Sequence, residues 1–279
     1  MSLILKKCLK NRTFVISGVM LLPIIFVAIF GPWLIRVDPL ATNGDLVLKP
    51  AMAGHPLGTD EFGRDILSRL ILGIRPTMII ALAATAVAFG VGLIFGIVAG
   101  YFQKVSEQFI MRMVDIILCF PPILLALLVV SFWGAGIKNL IIIIGIVYIP
   151  YFARIAYSAT LQIKKLEYVE SEISLGATPL RILMKSIIPN IMSPMIIQIS
   201  LTIASAILLE SGLSFLGMGV LPPAPSWGQM ISEAKSYIST APMYAFWPSF
   251  CLALTILAVN LIGDSLRDIL DPKLNNDNL

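Results

Sequence analysis

The sequence predicts an all-α integral membrane protein with six transmembrane helices and with its N- and C-termini cytoplasmic. Three observations carry that prediction. The 279 residues are 58% apolar and only 13% charged, with a mean hydropathy of +0.92, whereas soluble domains carry roughly 25% charge. Six apolar runs, 14–35, 77–101, 114–133, 138–157, 191–212 and 244–263, stand in the sequence, and a helix needs about 20 such residues to cross a hydrocarbon core of about 30 Å. Lys and Arg divide unevenly among the connections. With the N-terminus inside, 13 of the 20 fall on the inner side and 7 on the outer, the bias expected of cytoplasmic loops.

Residues 1–13 are basic and read as a cytoplasmic N-terminus. The run 14–35 is too long for the apolar region of a secretory signal, and no small-x-small cleavage site follows it. It is read as a retained first span. Residues 36–76 form an outer loop whose bases are offset by Asp38, Asp45, Asp60, Glu61 and Asp65. Ile66, Leu67, Leu70, Ile71 and Ile74 share one helical face, which predicts a short amphipathic helix over 62–74 lying in the outer interface. Asp65 and Arg69 stand at the spacing of a favourable i,i+4 pair.

Residues 77–279 make a core of five spans with a short cytoplasmic tail. Arg112 and Asp115 are expected to pair near the inner end of the third span, and Arg154 to reach the interface from the fourth. In the fifth, Gln198, Thr202 and Ser205 fall on one narrow stripe. Such groups face protein or water rather than lipid, so they line a translocation path or hold neighbouring helices together. Glu210 is a lone acid towards the outer end, and a functional role is the default for it. Between spans five and six, Pro222, Pro223 and Pro225 forbid continuous helix, Trp227 offers an interfacial anchor, and 228–238 predicts a short helix capping the outer mouth. Asp264, Arg267 and Asp268 are expected to cluster where the sixth span leaves the membrane.

The least membrane-like segment is the cytoplasmic loop 158–190, which contains EYVESEISLGATPLRILMKSIIPN at 167–190. A helix there ends at Gly176, the residue suited to a left-handed cap. Thr178 then fits an N-cap and Pro179 the first position of a new helix. Two helical segments bent at Gly176 and showing Glu170, Leu175, Ala177 and Thr178 have the shape of an element that enters a groove on another protein.

This segment resembles the cytoplasmic coupling loop of binding-protein-dependent ABC importer permeases, in which an acid is followed by a glycine. Glu170 and Gly176 occupy those places, and Ile188-Pro189-Asn190 matches the tail of the motif. Ser171 and Glu172 stand where two small residues are usual. Glu172 either meets a basic residue on the partner or faces solvent. HPLGTDEFGRDILSRLILGIRP at 55–76, MRMVDIILCFPP at 111–122, LSFLGMGVLPPAPSWGQMISEAKSYI at 213–238 and NLIGDSLRDILDPKL at 260–274 resemble the second permease subunit of dipeptide, oligopeptide and nickel importers. The resemblance implies a type I ABC importer permease fold in the cytoplasmic (inner) membrane. It implies a homologous second permease, two cytoplasmic ATPase subunits that carry ATP and Mg, and an outer solute-binding protein. It places ATPase coupling on Glu170, Ser171, Glu172, Leu175, Gly176, Ala177, Thr178 and Pro179. Peptides are the first expected cargo, and nickel or a metal–chelator complex is the alternative.

No chemistry is expected of this chain itself. Cys8, Cys119 and Cys251 fit no metal or redox spacing, Cys119 and Cys251 are expected at opposite depths, and His55 is the single histidine. There is no phosphate-loop motif and no nucleophile–base arrangement, so no cofactor, metal or nucleic acid is assigned. An ion-coupled secondary transporter is the rival of a different class. It calls for an inverted repeat and buried midplane acids, which the sequence does not show.

Overall fold

A computed structural model of the chain describes residues 11–270. Residues 1–10 and 271–279, with Cys8 and the ends of both expected cytoplasmic segments, lie outside the described residues. The regular structure of the described residues is helical, apart from isolated bridges at Met52–His55 and Thr59–Asp65. Five helices are long and apolar enough to cross a membrane, and a bent pair supplies a sixth crossing when counted as one span.

The first helix, α1 (Arg12–Leu34), starts at Asn11, whose side chain accepts the Phe14 N–H. Most of its apolar side chains point outwards, as lipid-facing residues must. After the 36–65 loop comes α2 (Ile66–Phe102), 37 residues without a break. At about 1.5 Å per residue it is close to twice the thickness of the hydrocarbon core. The separate interfacial helix expected at 62–74 is thus a correction: its residues from Ile66 onwards are the first turns of α2. Pro76 does not break the helix, because Ile66, Leu70 and Ile74 pack on Trp227, Met230 and Tyr244 and hold that segment in line. The expected Asp65–Arg69 pair does not form either. Asp65 is the N-cap of α2, accepting the Ser68 N–H at 2.8 Å, and its other oxygen meets His55 Nδ1 at 3.0 Å.

The expected third span, 114–133, is two helices. α3 (Lys104–Leu118) and α4 (Pro122–Trp133) meet at 92°. Pro121 and Pro122 impose the break: each lacks an N–H, and Phe120 is driven out of helical conformation by the proline after it. Asp115 pairs not with Arg112 but with Arg154, at 2.6 Å, tying α3 to α5 (Ile137–Lys164).

α2 and α5 form the closest helix pair. Gly92, Gly96 and Gly100 stack on one face of α2 against Phe152, Ala153, Ala156 and Thr160 of α5. A Cβ on Gly96 would lie 2.5 Å from the Ala153 carbonyl oxygen and 2.5 Å from the Ala156 Cβ. Small residues four apart permit this backbone approach between membrane helices.

After α5 come α6 (Glu167–Ser174), a short α7 (Pro179–Ile182), a π-turn at Leu183–Ile187 and the long α8 (Ile188–Phe215). α9 (Trp227–Ala234) and α10 (Pro242–Leu270) complete the described chain. Trp227 is not an interfacial anchor. It is buried, and its indole N–H donates to the Leu70 carbonyl at 3.1 Å, locking α9 onto α2. Among the described residues Asp264, Arg267 and Asp268 form no ion pair with one another, contrary to the cluster expected there.

Candidate functional site: an elbow and a cleft on the same two helices

The elbow is built by a complete left-handed helix stop. Gly176 has φ +79°, its N–H donates to the Ile173 carbonyl, and the Ala177 N–H reaches back to Glu172, both at 3.0 Å. Those two bonds are the paired cap bonds of a Schellman ending. Thr178 takes the extended N-cap conformation without a side-chain cap bond, and Pro179 opens α7. The chain then unwinds into the wider π-turn. Pro189 lacks the N–H that would reach the Lys185 carbonyl, and its ring crowds that group, a condition that favours a π-bulge.

The two arms of the elbow are fastened to each other. Val169, Ile182 and Ile187 are buried between them. Glu172 turns inwards, where its carboxylate accepts the Ser186 hydroxyl at 2.8–2.9 Å. Glu172 is half-buried against Ser186 rather than standing free on the outer surface of the elbow. Asn190 donates to the Tyr168 hydroxyl at 3.2 Å.

What the elbow leaves unspent is on its outside. Leu175 is 87% exposed and Leu180 70%. Glu170, Ser171, Thr178 and Pro179 are exposed, and Ala177 is half-buried. Glu167, Glu170, Arg181 and Lys185 join no ion pair among the described residues. An apolar tip with charges around it is the composition of an interface core and its rim.

The cleft holds three of the four path candidates. Gln198, Thr202 and Ser205 of α8 line a space of about 570 Å³, with Tyr148 and Tyr151 of α5 opposite and Pro122 and Ile123 at its edge. Gln198 donates to the Thr202 hydroxyl at 3.0 Å, Ser205 to the Leu201 carbonyl at 2.9 Å, and Tyr148 to the Ser205 carbonyl at 3.0 Å. The Tyr151 hydroxyl makes no hydrogen bond within the described residues. No charged side chain lines this space. The tyrosines escaped the sequence reading, although their i,i+3 spacing in VYIPYF was a usable signal.

Glu210 is not in the cleft. It is fully buried, accepting from Ser214 at 2.7 Å and Ser211 at 3.4 Å. The Ser214 hydroxyl in turn accepts the Val220 N–H at 3.4 Å, so the carboxylate braces the end of α8 against the turn that follows it.

A second polar cluster fastens α9. Arg69, fully buried, meets Glu233 of α9 at 2.9 Å and Asp60 at 3.4 Å, while Arg64 meets Asp60 at 2.6 Å and Glu61 at 3.2 Å. Three acids thus share two guanidinium groups. Burial pushes the Glu233 carboxyl above the ordinary carboxylate range; Arg69 opposes the shift and Glu61 adds to it.

Residues 92–276 match the family described as "Binding-protein-dependent transport system inner membrane component", and residues 1–50 match the "N-terminal TM domain of oligopeptide transport permease C". The di/tripeptide transport system permease protein DppC of Pseudomonas aeruginosa is 40% identical over 92% of this chain and 86% of its own length. The glutathione transport system permease protein GsiD of Pectobacterium atrosepticum is 38% identical over 97% of this chain and 90% of its own. The fold is similar to that of a chain in the inward-facing MetNI methionine ABC transporter, with a TM-score of 0.59 and 18% identity, over 72% of this chain and 96% of that one. The spans, the fold and these likenesses agree: the chain belongs to the inner-membrane permease components of binding-protein-dependent ABC importers.

Proposed function

We propose that this chain imports di- or oligopeptides by ATP-driven alternating access, with the elbow 165–187 docked on a cytoplasmic ATPase. One observation carries the reading: α5 and α8 wall the cleft and are also the two helices that the elbow joins. A push on the elbow therefore acts on both walls of the cleft at once. Closure of two ATPases on ATP would draw this elbow towards that of a homologous second permease, and hydrolysis would release it. Differential contacts in the two states bias such an equilibrium. Glu170, Leu175, Gly176 and Thr178 form the gripped surface, and Glu172 stiffens it from within.

The cleft suits a peptide. Tyr151, Gln198 and Ser205 offer neutral donors and acceptors of the kind that pair with amide groups. Without a formal charge on this wall, selection by side-chain charge falls to the outer solute-binding protein. A bare nickel ion finds no side-chain ligand there, so the metal alternative is confined to a chelated complex. Relatives named for peptide and glutathione transport support the peptide class.

The test is uptake into proteoliposomes holding the permease pair, the ATPases and the receptor. Dipeptide accumulation that needs ATP and persists with ion gradients collapsed is the expected result. Uptake driven by a proton or sodium gradient without ATP would overturn the reading in favour of a secondary transporter.

A further inference from the structure

Away from the cleft, a groove of about 310 Å³ runs between α1, α2 and α10. Its lining is almost wholly apolar, with Ile24, Leu70, Phe250 and Leu254 among the walls. The one hydroxyl, that of Thr255, is already spent on the Cys251 carbonyl at 2.8 Å. These helices are long and apolar enough to be spans, so the groove lies at hydrocarbon depth. At that depth, with no charged side chain on its walls and with the Trp247 indole N–H at the rim and the Cys251 thiol as its unspent polar groups, the body of the groove suits a hydrocarbon chain.

The groove continues upwards. Leu57 and Trp247 form its rim and also line a second cavity of about 460 Å³ under the 36–65 loop, and Lys49 lines that upper space. Trp247 is five residues into α10, about 8 Å from its start, which is the level at which tryptophan meets headgroups. Its indole N–H makes no hydrogen bond within the described residues, and Lys49 joins no ion pair among them. A tail-shaped space below, an unspent N–H at the rim and an unspent cation above follow the order of an acyl chain, a glycerol ester and a phosphate.

We propose that this composite cavity is a binding site for one anionic glycerophospholipid of the leaflet facing the 36–65 loop. The acyl chain fills the groove, Trp247 donates to an ester carbonyl, and Lys49 pairs with the headgroup. Basic side chains at pockets between membrane helices hold anionic lipid headgroups in this way. The bound lipid wedges α1 against α10, independently of what the importer carries.

The assembled complex, purified in mild detergent and offered equal phosphatidylglycerol and phosphatidylcholine, tests this by native mass spectrometry. One phosphatidylglycerol should remain on this chain, with a preference of about tenfold. Cys251→Phe, which fills the groove, should abolish retention; Lys49→Gln should leave a lipid bound but erase the preference. Phosphatidylglycerol brominated on its chain should quench the emission that Trp247→Phe removes. Retention unchanged by Cys251→Phe, equal retention of the two lipids by the unaltered chain, or no quenching of Trp247 (the outcome if a helix of another subunit covers the groove) would each overturn the proposal.

Discussion

Gly176 separates the elbow's shape from its fit in the rest of the protein. A Cβ added there meets nothing within 4 Å, so no substitution fails by collision. The whole cost is conformational, because φ is +79°. Holding an ordinary residue in the left-handed region costs about 1–2 kcal/mol, a factor of roughly 5–30 in the population of the capped elbow at 1.4 kcal/mol per tenfold. Gly176→Ala should therefore lose much of its uptake, Gly176→Val more, since β-branched residues tolerate this region least. Gly176→Asn should be the mildest, since asparagine visits it routinely. The fold should survive in all three, because the arms are still fastened by Glu172–Ser186 and by Val169, Ile182 and Ile187. The assay is ATP-driven uptake in proteoliposomes, beside ATPase retention on the purified permease and its thermal midpoint. An order of activity other than Asn above Ala above Val, or full uptake by the valine variant, would refute the reasoning.

Five further outcomes are expected. Arg69→Leu leaves Asp60 with Arg64 but takes from Glu233 its 2.9 Å partner, leaving only Arg64 at 3.5 Å, and should cost about 1–3 kcal/mol in thermal or denaturant unfolding, the penalty of a poorly satisfied buried polar group. Glu233→Gln should be mild and should flatten the pH dependence of stability. The raised carboxyl of Glu233 means that the folded state holds its proton more tightly, so its contribution is full below the ordinary carboxylate pKa and is lost as pH rises through the raised value. Gly96→Ala should destabilise by about 1–3 kcal/mol through overpacking, while Gly90→Ala, which meets nothing within 4 Å, should stabilise slightly, and thermal midpoints of the two variants compare them directly. Tyr151→Phe should raise the KM for dipeptide uptake by about two- to tenfold, one hydrogen bond's worth, with no change in midpoint. Ser186→Ala deprives Glu172 of its internal donor and should let ATP hydrolysis continue with reduced uptake, read as a fall in peptide moved per ATP.

The helices were legible because membrane burial imposes long apolar runs, and each expected span except the third corresponds to a single helix, although α2 starts eleven residues before its expected span. The third failed at Pro121–Pro122. Composition shows that 114–133 is apolar, but hydropathy has no direction and does not register a 92° turn. The helix at 62–74 was misjudged for the opposite reason: Pro76 reads as a stop, and the packing that carries α2 through it comes from Trp227 and Tyr244, more than 150 residues later. Asp65 at i,i+4 from Arg69 reads as a pair, yet an acid at an N-cap turns to its own first-turn N–H groups. The GxxxGxxxG spacing of Gly92, Gly96 and Gly100 was visible and is what sets α2 against α5. The elbow was legible almost residue by residue, since its cap chemistry is local. The inward turn of Glu172 was not, because Ser186 lies across the π-turn.

The break at Gly176 and the π-turn serve different ends. An elbow that transmits force has to be stiff within itself and joined firmly to what it moves. Stiffness within is supplied by the buried apolar contacts between the arms and by Glu172, a side chain whose charge would be wasted on the surface. The joints are unlike. On one side α5 runs as unbroken helix from Tyr148 to Lys164, about 24 Å at 1.5 Å per residue, so the Tyr148–Tyr151 wall moves with the base of the elbow. On the other side Pro189 and the π-turn stand between elbow and α8, and Gln198 begins about 15 Å above Ile188. A proline beside a π-turn is a place where a helix bends. On the mechanism proposed above, a rotation of the elbow would carry α5 rigidly and tilt α8 about the π-turn, so that the two walls of the cleft change their separation rather than travel together.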